Sequence, residues 1–153
     1  MEWHIYVDGA SSGNPGESGA GIVIFEKEKE VSRHSIYLGQ MTNNMAEYEA
    51  LIFALQKAKD ASVNQVNIYT DSLLVANQVS GVYKTKNPVL KGYLEIVKKL
   101  SRNFNQFSLK YIPREKNRIA DGLAKSAIKN RGRRVAAPHG GEESPGIKGQ
   151  DGP

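Results

Sequence analysis

The chain has 153 residues, of which 39% are hydrophobic and 24% charged, values typical of one globular domain with a packed core. Because it contains no cysteine, disulfides, thiolate metal sites and cysteine nucleophiles are excluded, and any metal ion must be bound by oxygen or by one of three histidines. The net charge of +5 suits a polyanionic partner, and the lack of a long apolar run predicts a soluble, cytoplasmic protein with no membrane span.

Three strands are predicted first, followed by a long helix. Residues 3–8 alternate in polarity as a strand does, and residues 21–39 form a predicted hairpin around a charged turn at Glu28 and Lys29. Residues 43–59 have the spacing of an amphipathic helix. We therefore expect an antiparallel meander that leads into a helix.

The second half of the chain alternates strands with helices. Its predicted elements are a strand over 65–71, a short helix closed by Gly81, a helix with Asn87 as N-cap, a strand over 107–113 and a closing helix over 117–130. A hairpin followed by such alternation predicts an α/β fold, with a mixed sheet that is antiparallel on one side, parallel on the other and covered by helices.

The end of the chain has a different composition. Residues 131–153 are rich in glycine, proline and charged side chains and show no apolar periodicity, so we expect a disordered tail after a domain over residues 1–130. The sequence leaves open whether the tail is a basic tether, a linker to another domain or a remnant of an expression vector.

Two acids follow predicted strands, Asp8 after the first and Asp71 after the fourth. In open α/β sheets, ligands bind in the crevice beyond the carboxyl ends of the strands. Each acid alone also fits a turn or a helix cap, so the pair is more informative than either residue.

A third acid, Glu47, lies on the apolar face of the long predicted helix. At about 100° per residue, Glu47 falls within roughly 40° of Leu51 and roughly 20° of Ala54. A carboxylate on a buried face must be paired, capped or bound to a cation, because desolvation of an isolated charge is costly. The alternative is a capping box in which Asn44 and Glu47 bond to the backbone at the start of the helix.

Asp121 is a fourth candidate, in the first turn of the closing helix if Asn117 is the N-cap, where a role at the helix dipole is the alternative. Four acids in one crevice would repel one another unless cations neutralised them. Mg²⁺ does so through oxygen ligands and joins carboxylates to phosphate oxygens. Two such ions about 4 Å apart stabilise both the attacking and the leaving oxygen of a phosphoryl displacement.

Four motifs, "YVDGASSGNPG", "TNNMAEYEAL", "IYTDS" and "NRIADGLAK", together resemble type 1 ribonuclease H in their order and spacing over residues 2–128. The resemblance implies a ribonuclease H-like fold, with three antiparallel strands and then two parallel strands in one five-stranded sheet. It also implies an endoribonuclease that cleaves the RNA strand of RNA/DNA hybrids and leaves a 5′-phosphate and a 3′-hydroxyl. The catalytic and metal-binding acids are then Asp8, Glu47, Asp71 and Asp121.

The resemblance further implies two Mg²⁺ ions, with Mn²⁺ as a substitute, of which one activates a water and the other stabilises the leaving 3′ oxygen. Asn14, Asn43 and Asn44 match positions that contact the minor groove, where the 2′-hydroxyl marks RNA. Thr42 and Asn87 match a pocket for a phosphate of the DNA strand. The small residues Ser12 and Gly13 keep the surface low enough for a duplex, so bulky side chains there should block the hybrid and spare the fold.

Two departures from the family pattern stand out. The basic helix and loop that grips the hybrid in many bacterial members is missing, and only Lys84, Lys86 and Lys91 lie in that segment. The loop before Asp121 also lacks the family's histidine, for which Glu115 is a candidate replacement.

The other readings that the sequence leaves open are a non-catalytic hybrid-binding module and another nuclease of the same broad fold, such as a resolvase or transposase core. We expect a monomer with no obligate protein partner.

Overall fold

The computed structural model describes residues 1–131, so the predicted tail lies almost wholly outside the described residues. The strands are β1 Glu2–Ser11, β2 Gly16–Glu26, β3 Lys29–Met41, β4 Gln65–Thr70 and β5 Gln106–Tyr111. The helices are α1 Asn43–Asp60, α2 Leu73–Ser80, α3 Pro88–Ser101 and α4 Arg118–Lys129, with a short 3₁₀ turn over Arg114–Lys116. Among the described helices, none combines the length and the apolar character that a membrane crossing needs.

The five strands form one mixed sheet in the order β3-β2-β1-β4-β5. The first three strands pair antiparallel, while β4 pairs parallel with both β1 and β5. This topology confirms the predicted fold. It places β1 at the centre, so that any side chain at the end of β1 lies near the middle of the sheet edge.

Helices α1 and α4 pack on opposite faces of the sheet. Ile5, Val7 and Leu55 are completely or almost completely buried in the core between the sheet and α1. On the other face, α4 approaches β2 so closely that a Cβ on Gly21 would lie 2.1 Å from the carbonyl oxygen of Ala120. Glycine in β2 therefore allows the first turns of α4 to lie directly on the sheet.

The first three strands extend further than their sequence pattern predicts. Small polar residues that read as a loop are paired in the sheet, with Ser11 opposite Ser18 and Gly16 opposite Met41. Only residues 12–15 remain as the connection between β1 and β2. β1 and β2 therefore stay hydrogen-bonded to each other beyond Asp8, as far as the edge of the site.

Candidate active site

Asp8 and Asp71 lie where the parallel pairing of β1 with β4 ends. In the register of β1 and β4, Val7 is opposite Thr70, so the next residue of each chain segment is an aspartate at the same sheet edge. Asp8 is only 4% exposed. Asp71 does not cap α2, because the side chain of Ser72 accepts the capping hydrogen bond from the N–H of Val75 at 3.2 Å.

Glu47 reaches the same edge from α1. Its Oε1 accepts a hydrogen bond of 3.0 Å from the backbone N–H of Gly9, the residue after Asp8. This contact excludes the capping box, and the N-cap of α1 is Thr42, whose hydroxyl accepts from the N–H of Met45. Gly9 makes the approach possible, because a Cβ there would lie 2.2 Å from the carbonyl carbon of Ala46.

The three carboxylates form a compact cluster. One oxygen from each of Asp8, Glu47 and Asp71 lies within 4.8 Å of the others, and all three line a cleft of about 570 Å³. Oxygen ligands at this spacing suit a hard divalent cation such as Mg²⁺ or Mn²⁺. The donor set therefore fits the metal that the sequence predicts.

The electrostatics of the cluster favour a bound cation. Burial, together with the charges of Glu47, Asp71 and Asp121, raises the pKa of Asp8 to about 10. Burial also raises the pKa of Glu47 to about 8, against the opposing hydrogen bond from Gly9. Carboxyl groups held at such values carry an electrostatic cost when ionised, and a divalent cation would remove it.

Asp121 lies at the rim of the cluster rather than in it. Its carboxylate pairs with Lys125 at 3.1 Å and with Arg114 at 3.6 Å. Although burial acts in the opposite direction, these two cations and the contact with Asp8 hold the pKa of Asp121 below its ordinary value. Asp121 therefore stays ionised beside Asp8 and contributes negative charge to the cleft.

Two further features of the site were not predicted from the sequence. The amide of Asn117 is 1% exposed and donates to the backbone oxygen of Val7 at 2.9 Å and to Oδ2 of Asp71 at 3.1 Å. It gives α4 no side-chain cap, contrary to the expected role of an N-cap residue. Arg114 and Lys125 are the second feature, since both line the acid cleft.

Glu115, the candidate for the place of the family's histidine, does not line the acid cleft. Arg114 lines the acid cleft, whereas Glu115 lines a different cleft on the other side of Asn117. The direction of the 3₁₀ turn decides this, because adjacent residues of the turn point to different sides. His34 is not a substitute either, since it is 8% exposed and packs against Phe53.

The loop between β1 and β2 borders the cleft. Ser12 and Asn43 line it, and Oδ1 of Asn14 accepts a hydrogen bond of 3.0 Å from the N–H of Asn43. This bond joins the loop to the start of α1. At Gly13, a Cβ would come within 3.0 Å of the backbone oxygen of Pro15, so a side chain there would also disturb the loop.

The remaining predicted contacts lie at helix starts. Thr42 caps α1 and Asn44 is half-buried in its first turn. Asn87 caps α3 by accepting from the N–H groups of Val89 and Leu90 at 2.9 and 3.2 Å, as the sequence predicts. Within residues 1–131, no hydrogen bond links Asn87 to Thr42, so a shared phosphate pocket stays a prediction.

Comparison with known proteins decides the family. A family model described as reverse transcriptase-like matches residues 6–127. The crystal structure of RNase H1 from Halobacterium salinarum NRC-1 superimposes with a TM-score of 0.82 at 36% identity, over 84% of this chain and 98% of that chain. The chain belongs to the type 1 ribonuclease H family.

Other relatives agree with this ribonuclease H assignment. LC11-RNase H1, solved in complex with an RNA/DNA hybrid, is 38% identical with a TM-score of 0.79, over 83% of this chain and 96% of that chain. The curated ribonuclease HI of H. salinarum is 37% identical over 126 residues, which are 82% of this chain and 63% of the relative. The chain thus spans less than two thirds of that relative's length.

Replacing Gly9 by Ala is expected to destabilise the ribonuclease H domain by about 3 kcal/mol, because the new Cβ must push α1 away from β1. The melting temperature should fall by about 10 °C. Any protein that remains folded should cleave poorly, since the same shift moves Glu47.

The matched control is Gly92→Ala, at an exposed helical position with no atom within 4 Å of the added Cβ. It should be stabilising by about 0.5–1 kcal/mol. Equal melting temperatures for the two variants would contradict the close packing of α1.

Proposed function

We propose that this protein is an endoribonuclease that hydrolyses the RNA strand of RNA/DNA hybrids with two divalent cations, and leaves a 5′-phosphate and a 3′-hydroxyl. The observation that carries the proposal is the cluster of Asp8, Glu47 and Asp71 at the sheet edge, with their oxygens within 4.8 Å of one another. Relatives named ribonuclease H, one of them solved with a hybrid, support the substrate class.

The cluster would hold the cations through Asp8, Glu47 and Asp71, with Asp121 at the rim. When bound, divalent cations supply charge neutralisation, contacts to phosphate oxygens and activation of a water for in-line attack. Mg²⁺ is the proposed ion and Mn²⁺ its substitute.

The chain's own residues keep the acids in place. The N–H of Gly9 fixes one oxygen of Glu47, and the amide of Asn117 fixes one oxygen of Asp71. Arg114 and Lys125 pair with Asp121 and also line the acid cleft, where their charged groups can contact a phosphate of the substrate. These contacts orient the ligands before the substrate arrives, which reduces the cost of organising the site.

Recognition of the hybrid rests on the rim formed by the loop after β1 and the start of α1. Asn14 and Asn43 are exposed there and already joined by a hydrogen bond, and Asn44 follows in the helix. Polar amides in this position can bond to 2′-hydroxyls in a shallow minor groove. Ser12 and Gly13 add little bulk between this rim and the acids. Thr42 and Asn87 are proposed to bind a phosphate of the DNA strand.

A non-catalytic hybrid-binding module is the main alternative. It has no need of a buried carboxylate cluster whose members raise one another's pKa. Such a costly arrangement is not expected in a pure binding site, because the acids repel the phosphate backbone unless cations are bound. Cytoplasmic location and the monomeric state stay predictions.

The test uses one sequence prepared as an RNA/DNA hybrid, an RNA duplex and a DNA duplex, each incubated with Mg²⁺. We expect rapid cleavage of the hybrid and none of the DNA duplex, which has no 2′-hydroxyl. The rate on the RNA duplex measures whether a DNA strand is required. Binding of the hybrid without Mg²⁺-dependent cleavage would favour the non-catalytic module. Cleavage of the DNA duplex would favour a resolvase-like or transposase-like nuclease.

A further inference from the structure

A second cleft, of about 520 Å³, lies beside the active site on the sheet face that carries α4. Its floor consists of His4 and Tyr6 from β1 and Phe25 from β2, and the first turn of α4 forms one wall. Asn117 lines this second cleft and also bonds to Asp71 in the acid cleft. The two clefts are therefore separated by one buried side chain. The established family site accounts for the acid cleft but leaves the second cleft without a role.

The floor of the second cleft presents flat aromatic surfaces. Tyr6 stacks on Tyr69 with ring centroids 4.8 Å apart, and Tyr69 stacks in turn on His4 at 5.9 Å. Phe25 meets Tyr6 edge to face at 5.9 Å. None of these three floor residues is fully buried. A supported array of partly exposed rings is the kind of surface on which a planar base stacks.

The walls of the second cleft carry positive charge. Lys116 and Arg118 are exposed at the start of α4, and Lys27 lies in the turn between β2 and β3. None of these three cations takes part in an ion pair within residues 1–131. Two acids, Glu28 and Glu115, also line the cleft, so the cations are in excess by one.

The start of α4 strengthens this positive end. Its first turn has no side-chain cap, because Asn117 is held by the bonds that its amide nitrogen donates to Val7 and Asp71, and its Oδ1 accepts no bond from the helix. Uncapped N–H groups at a helix start, next to Lys116 and Arg118, favour an anionic group such as a phosphate over an uncharged one. The aromatic floor and the cationic wall thus complement two different parts of one ligand.

We propose that the second cleft binds a single unpaired nucleotide, with its base on Tyr6 and Phe25 and its phosphate against Lys116 and Arg118. The volume of about 520 Å³ is within the usual range for a small-molecule site. Two sources share this chemistry: a free mononucleotide, and an unpaired nucleotide in a single strand that flanks a hybrid. The inference does not depend on the proposed function, because it concerns a different cleft.

The position of the second cleft makes a flanking strand a suitable source. Tyr6 and Asp8 lie on the same face of β1 two residues apart, a separation of roughly 7 Å. A strand that leaves the acid cleft over Asn117 therefore meets the aromatic floor at once. The site would add affinity for hybrids with an unpaired end.

The test titrates the full chain with adenosine 5′-monophosphate in the presence of EDTA, where the acid cleft repels phosphate, and follows backbone amide and aromatic ring signals by NMR. We expect shifts concentrated at residues 116–120 and in the rings of Tyr6 and Phe25. The double variant Lys116→Glu with Arg118→Glu should weaken binding by about tenfold. Acidic residues suit the first turn of a helix, so the variant should fold normally.

The matched control is Lys98→Glu with Lys99→Glu, an equal change of charge at the exposed end of α3, which should bind as the unmodified protein does. Adenosine, which lacks the phosphate, should bind weakly and equally to all three proteins. The two sources are separated by comparing blunt hybrids with hybrids that carry a short single-stranded end. A gain in affinity of about threefold or more for the overhang, lost in the Lys116/Arg118 variant, identifies the flanking strand.

Without that gain, but with nucleotide binding intact, the source is the free mononucleotide. No shift at residues 116–120, or equal binding to the two charge-reversed variants, would overturn the proposal. Tighter binding of hexaglutamate than of a single-stranded hexanucleotide would also overturn it, since it would indicate an acidic protein partner.

Discussion

Replacing Asp8 by Asn is expected to raise the melting temperature of the metal-free protein and to abolish cleavage of the hybrid. Asp8 is 4% exposed and faces the charges of Glu47, Asp71 and Asp121. Asparagine has nearly the same shape and is neutral at every pH, so the variant removes the cost of burying an acid among other carboxylates and keeps the packing. Stability and function are opposed at this position, as is common where a site is strained for a ligand.

The expected stabilisation is on the order of 1–2 kcal/mol at neutral pH, or about 3–10 °C in melting temperature. Its pH dependence has a definite sign. The folded protein holds a proton on Asp8 up to a pKa of about 10, whereas the unfolded chain releases it near 3.8. Ionisation therefore favours the unfolded state as the pH rises above about 4, and the advantage of Asp8→Asn should grow from pH 4 to pH 8.

Thermal unfolding in EDTA at several pH values measures this effect, with Asp60→Asn as the control. Asp60 is an exposed acid at the end of α1, and the hydrogen bond that it accepts from Gln56 can also be made to asparagine. The control should change the melting temperature little at any pH. Addition of Mg²⁺ should stabilise the unmodified protein and leave Asp8→Asn almost unchanged. A variant that is less stable than the unmodified protein in EDTA would contradict the predicted cost of burying this acid.

Replacing Glu47 by Gln is expected to lower the rate of hybrid cleavage by about a thousandfold with little change in the fold. The oxygen of glutamine can still accept the hydrogen bond that Gly9 donates to Glu47 at 3.0 Å, so the contact between α1 and β1 survives. What is lost is a charged oxygen ligand in the acid cluster. The melting temperature in EDTA should stay the same or rise.

Glu49→Gln is the matched control, with the same chemical change two residues further along α1. The carboxylate of Glu49 accepts from the hydroxyl of Tyr93 at 2.7 Å, away from the acid cluster, and an amide oxygen can replace it. Single-turnover cleavage with excess enzyme should therefore be within about threefold of the unmodified rate. Equal losses in Glu47→Gln and Glu49→Gln would mean that the cluster is not the reacting centre.

The sheet and three of the four acids could be predicted from sequence because each rests on a local periodic signal. Asp8 and Asp71 directly follow segments that alternate clearly, and the helical period alone puts Glu47 on the buried face of α1. Parallel pairing of β1 with β4 then brings the strand ends together without further information. The long extensions of β1 and β2 escaped prediction, since Gly, Ser and Ala pair in a sheet here only because β1 and β2 are already in register.

The contacts around the acids could not be predicted, because they depend on tertiary geometry. Asn117 precedes a helix and has the residue type of an N-cap, yet its amide bonds to Val7 and Asp71, which are distant in sequence. In the 3₁₀ turn, no period distinguishes Arg114 from Glu115, and only the path of the backbone shows that Arg114 faces the acids.

The most direct test of the account is cleavage of one RNA/DNA hybrid labelled in turn on its RNA strand and on its DNA strand, with Mg²⁺ or with EDTA. The account predicts Mg²⁺-dependent cuts within the RNA strand only, each leaving a 5′-phosphate and a 3′-hydroxyl, and none in Asp8→Asn. Cuts in the DNA strand, or RNA cleavage that persists in EDTA, would contradict it.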